Sequence, residues 1–411
     1  MTYPLNIEYL GKDVIMNEHR NKILTLAEKL YPQQVKWRRH LHQNPELSEQ
    51  EFETTRFIKS ELRQRGIKFL PLKLKTGAVG IINCNMKEAI GIRADIDALP
   101  ILENTGLPYR SRRPGVMHAC GHDMHTSILM GAAVILNQLR KEIPGAVKLI
   151  FQPSEEMPPG GADLLIRAGV LRNPEVKTVF ALHVDPTLEA GKIGLRDGPT
   201  MASVTDFDIT ILGKGGHAAR PHTAVDGIAA AAELIDSMQK IVSREIDPLR
   251  PIVITFGTIS GGVARNVIAE KVTLRGTARS LSPESRKRIP GLIKRTVDGV
   301  CRARGARYRL DFIAGYPVLS NHADVNRLYR DSFTELFGPG KVAPTSQGMG
   351  GEDFAFFLEK VPGAMFRLGT RNDKIGANKH WHMSDFKVDE TAILHGTALF
   401  CHAVFKRFES R

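Results

Sequence analysis

Gly115-Val116-Met117-His118-Ala119-Cys120-Gly121-His122-Asp123-Met124-His125 gathers three imidazoles, one thiol and one carboxylate in a single short segment. All of these groups ligate transition metals, and two donors separated by one glycine reach the same ion, so Cys120 and His122 read as metal ligands. The surroundings of the segment set its fold. Downstream, Ile128, Leu129, Ala132, Ala133, Leu136 and Leu139 recur at helical spacing, which puts the motif at the start of a helix. Upstream, residues 78–83 and 89–94 are apolar runs of strand length, and the second leads into Arg93-Ala94-Asp95-Ile96-Asp97-Ala98-Leu99-Pro100. Residues 147–151 form another such run before Gln152-Pro153-Ser154-Glu155-Glu156, and residues 179–185 a third, with His183 near its end. Continuous apolar strands alternating with helices belong to an open α/β sheet, which binds its ligands at the carboxyl ends of its strands.

At those ends the chemistry is legible. Asp95 reads as a site residue, whereas for Asp97 a solvated turn acid is an equal alternative. Of the adjacent Glu155 and Glu156, one can hold a metal while the other acts as general base on a water. A Glu-Glu pair is ordinarily a solvated loop, but this one leaves a core strand directly. A lone strand-end histidine is more often a satisfied core residue. Beside Cys120, His122 and Glu156, His183 reads as a ligand. His118 and His125 stay open between ligation and support.

The totals bound the rest. At 411 residues the chain is too long for one ordinary core, so two domains are expected. No apolar run approaches the ~20 residues of a membrane span. Asp13, Glu18, His19 and Arg20 interrupt any secretory leader, so a cytoplasmic protein is expected. Cys84, Cys301 and Cys401 read as core thiols. The net charge of +13 raises the question of a nucleic-acid partner. Its densest segment, 285–309, also carries Ile289, Leu292, Ile293, Val297 and Val300 at helical spacing behind Ser282-Pro283-Glu284, which is a helix start. That is a surface helix with a solvated basic face, and neither nucleic acid nor membrane is expected as a partner. The first helix is expected to halt near Pro32, and Ser48 with Glu51 to form a capping box for the next.

From about Pro199 the pattern changes. A strand at 204–212, a helix at 223–242, strands at 251–259 and 267–279, the basic helix at 283–303 and a strand at 308–313 give the ferredoxin-like order β-α-β-β-α-β. Residues 199–313 therefore read as an inserted domain, leaving 1–198 and 314–411 to form the other. In the insert, the glycine-rich segment 213–222 lacks the Gly-Lys-Ser/Thr of a phosphate loop and instead offers His217 to a substrate carbonyl.

Taken together, these motifs resemble the M20 metallopeptidases, specifically the amidohydrolase branch of aminoacylases, hippurate hydrolases, auxin-conjugate hydrolases and thermophilic carboxypeptidases. The resemblance is carried by Arg38-Arg39-His40-Leu41-His42-Gln43-Asn44-Pro45-Glu46, by the segments 93–100, 117–125 and 151–156, and by Gly213–His217 and Gly350-Gly351-Glu352-Asp353-Phe354. It implies a zinc-peptidase-like α/β catalytic domain with an inserted ferredoxin-like dimerisation or lid domain. It implies two divalent ions (Zn, Mn, Co or Ni) held by Cys120, His122, Glu156, His183 and His382, with His380 as the alternative to the last. It further implies Glu155 as general base, His217 as oxyanion donor, Asn266 and Arg279 on the substrate carboxylate, and a homodimer or homotetramer. The expected substrate is an N-acyl amino acid or a short peptide. The chain departs from the family pattern at His382-Met383-Ser384, where His-Ser/Thr-Pro is usual.

Overall fold

The computed structural model describes the backbone of residues 7–409 and the side chains of residues 17–409. The first six residues of the expected N-terminal extension lie outside this range. The chain divides into two compact units, one of residues 1–198, 321–346 and 356–411, the other of residues 199–320 and 347–355. The segment 347–355 thus clusters with the second unit, although the sequence grouped it with the first.

The first unit is built on a sheet of eight strands. β1 (Lys68–Phe69), β2 (Ala78–Ile82), β3 (Glu88–Asp95), β4 (Ala146–Gln152), β5 (Glu175–Glu189) and β6 (Ile193–Leu195) are joined by Val342–Pro344 and Gly363–Arg371. Its centre, in the order β4, β3, β5 and Gly363–Arg371, is parallel throughout. Parallel strands are covered on both faces, which is why Ile90, Ile92, Val147, Leu149, Phe151, Phe180, Leu182 and Phe366 are all buried. The register puts Asp95 level with Gln152, Arg93 level with Ala181 and His183 level with Arg367, so β3 and β4 end at the level of His183, while β5 and Gly363–Arg371 run on past it.

Three helices cover one another beside the sheet: α1 (Ile7–Gln43), α3 (His122–Gln138) and Ala392–Glu409. α1 runs through Pro32 without a break, contrary to expectation. The proline forfeits one N–H and costs about 3 kcal/mol in a helix interior. Buried residues on either side, Ile23 and Ala27 before it and Gln34, Trp37 and Leu41 after it, commit both halves to one packed face. Gln34 secures that face, its Nε2 donating to Thr397 Oγ1 at 2.7 Å and to Ser127 O at 3.1 Å.

α2 (Phe52–Arg63) does not use the expected capping box: its N-cap residue is Glu51, with no side-chain cap. Ser48 instead donates to Asp97 Oδ2 at 2.7 Å, and the buried Glu51 carboxylate accepts from Ser154 N and Thr76 Oγ1. Both side chains are drawn into the sheet edge, where a buried acceptor for Ser48 and buried donors for Glu51 outbid a solvent-facing helix end. Cys301 and Cys401 are buried, but Cys84 is exposed in the turn between β2 and β3. Its apolar neighbours in sequence belong to the strands, and the turn itself faces water.

The second unit holds a four-stranded antiparallel sheet in the order Ile252–Gly261, Lys271–Ser280, Ser203–Leu212, Arg307–Ala314. With the helices Gly227–Lys240 and Pro283–Ala303 on one face, this is the ferredoxin-like arrangement. Phe207, Ile209, Ile211 and Leu274 meet Ala230, Leu234, Ile289, Ile293 and Val297 in its core. Ser282 caps the basic helix by accepting from Ser285 N, and Arg295, Arg302 and Arg304 pair with Glu245, Asp298 and Glu233. Among the described residues, no helix is long and apolar enough to cross a membrane.

Candidate metal centre

The carboxyl edge of the first sheet gathers the chemistry. Gly121 stands between Cys120 and His122 at φ 87° as the N-cap of α3, a left-handed conformation that glycine adopts without strain. A Cβ there would also lie 2.5 Å from Val184 Cγ2. This turn sends the thiol and the imidazole into the same space. Ser154 makes the corresponding turn after β4 at φ 55°, fixed by its N–H donating to Glu51 Oε1 at 2.8 Å and by Glu49 N donating to its Oγ at 2.8 Å. Glu155 and Glu156 follow directly, and Glu156 N donates to Asp97 Oδ2 at 3.0 Å. A third left-handed residue, His382 at φ 63°, is tied to the motif by its N–H donating to Ala119 O at 2.9 Å.

The histidine tautomers follow from their partners. A carbonyl only accepts, so His183 donates from Nδ1 to Val184 O at 2.8 Å and His122 donates from Nδ1 to Asp97 O at 3.0 Å. Each ring therefore turns its Nε2 to the site: that of His183 lies 3.4 Å from Cys120 Sγ, and that of His122 lies 3.7 Å from Asp95 Oδ2 and 3.8 Å from Glu156 Oε1. This is how metal-binding imidazoles are commonly oriented. His125 is different. Its Nε2 accepts from Val184 N at 2.9 Å and its Nδ1 donates to Asp95 Oδ1 at 2.6 Å, so both nitrogens are spent. His118 is buried with neither nitrogen hydrogen-bonded, and burial drives its pKa down to about 4.

Donor atoms of Cys120, His122 and His183 lie within 4.8 Å of one another, as do those of Cys120, Glu156 and His382, and those of His122, Glu155 and Glu156. The first two triads share Cys120. His382 Nε2 lies 3.5 Å from Glu156 Oε1, whereas the exposed His380 joins none of these groups among the described residues. His122 Nε2 and Glu156 Oε1 are buried without a hydrogen-bond partner, an arrangement that is costly for purely structural groups.

Electrostatics points the same way. Burial alone would strip the proton from His122, but Asp95, Asp97 and Glu156 outweigh it and hold its pKa up at about 10. Burial, reinforced by Glu156, Glu155 and Asp95, pushes the Cys120 thiol well up. Burial, with His125 and Arg367, pushes His183 well down, so its ring is neutral and its lone pair available. Burial works against ionisation of Asp95, but His122, His125 and Arg93 keep it a carboxylate. A concave set of thiol, imidazole and carboxylate donors in a field that favours added positive charge fits a borderline-soft divalent cation.

The second unit places its expected residues together in part. His217 pairs with Val267 in a short antiparallel ladder, and Ala218 N donates to Asn266 O at 3.1 Å. Ala219 N donates to His217 Nδ1 at 3.1 Å, so the exposed neutral ring carries its proton on Nε2. Arg279 donates from Nε to Thr277 Oγ1 at 3.2 Å.

Sequence reading missed the group beneath the site. Arg38 Nε lies 2.8 Å from Asp123 Oδ2, His42 Nδ1 lies 2.8 Å from the same oxygen, and His42 Nε2 lies 3.2 Å from Glu103 Oε1, all of them buried side chains. The i,i+4 spacing of Arg38 and His42 on a helix was the available signal.

An α/β sheet that collects thiol, imidazole and carboxylate donors along its carboxyl edge defines a metal-dependent hydrolase. The profile of Peptidase family M20/M25/M40 matches residues 91–406. The chain is 41% identical over 383 residues to N-acetyl-L-cysteine deacetylase of Bacillus subtilis strain 168, covering 91% of this chain and 90% of that one. It is 37% identical over 366 residues to thermostable carboxypeptidase 2 of Saccharolobus solfataricus, covering 88% and 92%. The crystal structure of Bacillus subtilis YXEP protein, described as a dinuclear metal-binding peptidase from the M20 family, superposes with a TM-score of 0.81 at 35% identity, covering 93% and 100%. The chain belongs to the M20/M25/M40 peptidase family.

Proposed function

We propose that this chain hydrolyses the amide bond of N-acyl-L-amino acids at a centre of two divalent ions held by Cys120, His122, Glu156, His183 and His382, with Cys120 common to both donor triads. The observation that carries the reading is the placement of Glu155, a second carboxylate one residue from Glu156, inside the same donor cluster. A divalent ion bound there supplies Lewis acidity, lowering the pKa of a water in contact with it and polarising a carbonyl oxygen. Glu155 takes the proton of the attacking water as its oxygen bonds to the carbonyl carbon. The same carboxyl then delivers that proton to the amide nitrogen as the C–N bond breaks, leaving a carboxylic acid and an amine, which become carboxylate and ammonium once the acid proton passes to the amine. Asp95 holds His125 and Arg93 in place at the edge of the cluster. In this reading His217 donates from Nε2 to the developing oxyanion, and Asn266 and Arg279 take the substrate carboxylate. The working protein is a cytoplasmic homodimer or homotetramer that uses Zn, Mn, Co or Ni.

The similarity to a thermostable carboxypeptidase supports a second reading, hydrolysis of short peptides from the carboxyl end. A panel of N-acetyl and N-benzoyl amino acids beside dipeptides separates the two. The N-acyl compounds are expected to turn over at least tenfold faster in kcat/KM, with activity abolished by chelator and restored by added metal. Preference for the dipeptides reverses the order of the readings, and activity indifferent to exhaustive chelation ends both.

A further inference from the structure

Three large apolar side chains stand out in water around the donor cluster: Leu102 is 69% exposed, Met157 42% and Met383 44%. Single exposed hydrophobics are ordinary, but grouped ones mark binding surfaces. These three are grouped by the backbone. Met157 follows Glu156 and Met383 follows His382, and the side chains of Glu156 and His382 approach to 3.5 Å. Asn104 N donates to Ser384 O at 2.7 Å, which brings the segment carrying Leu102 alongside the one carrying Met383. Glu103 turns inward onto His42 Nε2 and Ser111 N, leaving Leu102 beside it facing out. Met117, Met124, Met130 and Met365, in the same unit, are buried.

We propose that Leu102, Met157 and Met383 form the acyl-binding rim of the site, and that the enzyme takes N-acyl amino acids whose acyl group is an apolar chain longer than acetyl. This rests on the amidohydrolase reading. The amino-acid end of such a substrate carries a carboxylate and needs a cation, whereas the acyl end is uncharged. The rim side chains themselves, one leucine and two methionines, carry no cation for the carboxylate and suit the acyl chain. Methionine is unbranched and polarisable, so the rim moulds to chains of differing length rather than selecting one.

The test is kcat/KM of the metal-loaded enzyme on N-acetyl-, N-butyryl-, N-hexanoyl- and N-octanoyl-L-alanine, beside N-acetyl derivatives of alanine, norvaline and norleucine. The acyl series is expected to climb by about threefold per methylene until the rim is covered. The double variant Met157→Ser/Met383→Ser is expected to cut the octanoyl-to-acetyl ratio by about tenfold or more. Met86→Ser serves as control: it alters an equally exposed methionine in the turn before β3, at the opposite end of the strands, and should leave the ratio in place. A flat acyl series overturns the proposal. So does a ratio unmoved by the double variant, or a slope that lies in the side-chain series instead. If the metal-loaded enzyme hydrolyses no N-acyl amino acid at all, the amidohydrolase reading fails first and the rim with it.

Discussion

Glu155→Gln is expected to lower kcat by about 10²–10⁴-fold while leaving the fold and the uptake of metal in place. The substitution keeps the shape of the side chain and removes only its capacity to accept and return a proton. Glu155 is buried at the end of β4, where the left-handed Ser154 directs it into the donor cluster. The adjacent Glu156, at 3.5 Å from His382 and with a buried oxygen that no hydrogen bond satisfies, is suited to hold a cation rather than shuttle a proton. KM should change little, since the lost interaction belongs to the transition state. A variant that retains kcat within a few-fold, with its metal content unchanged, removes Glu155 from the mechanism and leaves the proton transfer to another group.

Arg38→Met is expected to cost about 3–5 kcal/mol of stability, the largest effect predicted away from the donor cluster. It strands the buried carboxylate of Asp123, which Arg38 meets at 2.8 Å, and it leaves His42 as the only remaining cationic partner among those described. Asp123 follows His122 in α3, so the same pair anchors the turn that presents the ligands. Burial alone would raise the Asp123 pKa, but Arg38 and His42 hold it far below the ordinary carboxylate range. A pKa depressed by folding contributes stability that is full above the unfolded value of about 3.9 and is lost as pH falls through the folded one. The gap between wild type and variant, measured by urea unfolding, should therefore be widest near neutral pH and narrow below about pH 4. Adding Asp123→Asn to the variant should recover part of the loss, because the unpaired charge is then gone. A deficit under 1 kcal/mol contradicts the buried-pair account.

The proposed ligands could be picked out in the sequence because coordination needs rare residue types, and all but His382, which only the family resemblance supplied, sit in or just after apolar strand-like runs or in one tight motif. Cys120 and His122 stand out by spacing; Glu155 and Glu156 stand out by leaving an apolar run of strand length, and His183 by interrupting one. Other features depend on partners that no local pattern reveals. Pro32 reads as a helix stop until a buried face on both sides of it is known, and Ser48 and Glu51 read as a cap until Asp97 and Ser154 are seen to claim them. The pairing of Arg38 with Asp123 joins two helices far apart in the chain, so neither residue alone suggests it. Leu102, Met157 and Met383 carry no signal in sequence, where an exposed methionine looks like a core one.

The most direct measurement is calorimetric titration of the chelator-stripped chain with Zn²⁺ or Mn²⁺, repeated in two buffers of different ionisation enthalpy. Two ions per chain are expected, with net proton release, because His122, with a pKa of about 10, and the Cys120 thiol, pushed higher than usual, must both shed protons to ligate. Affinity should accordingly rise with pH across the neutral range, and Cys120→Ala should weaken both sites, since both triads use that sulfur. Uptake of no metal, or uptake without protons that Cys120→Ala leaves untouched, contradicts a metal centre at this edge of the sheet.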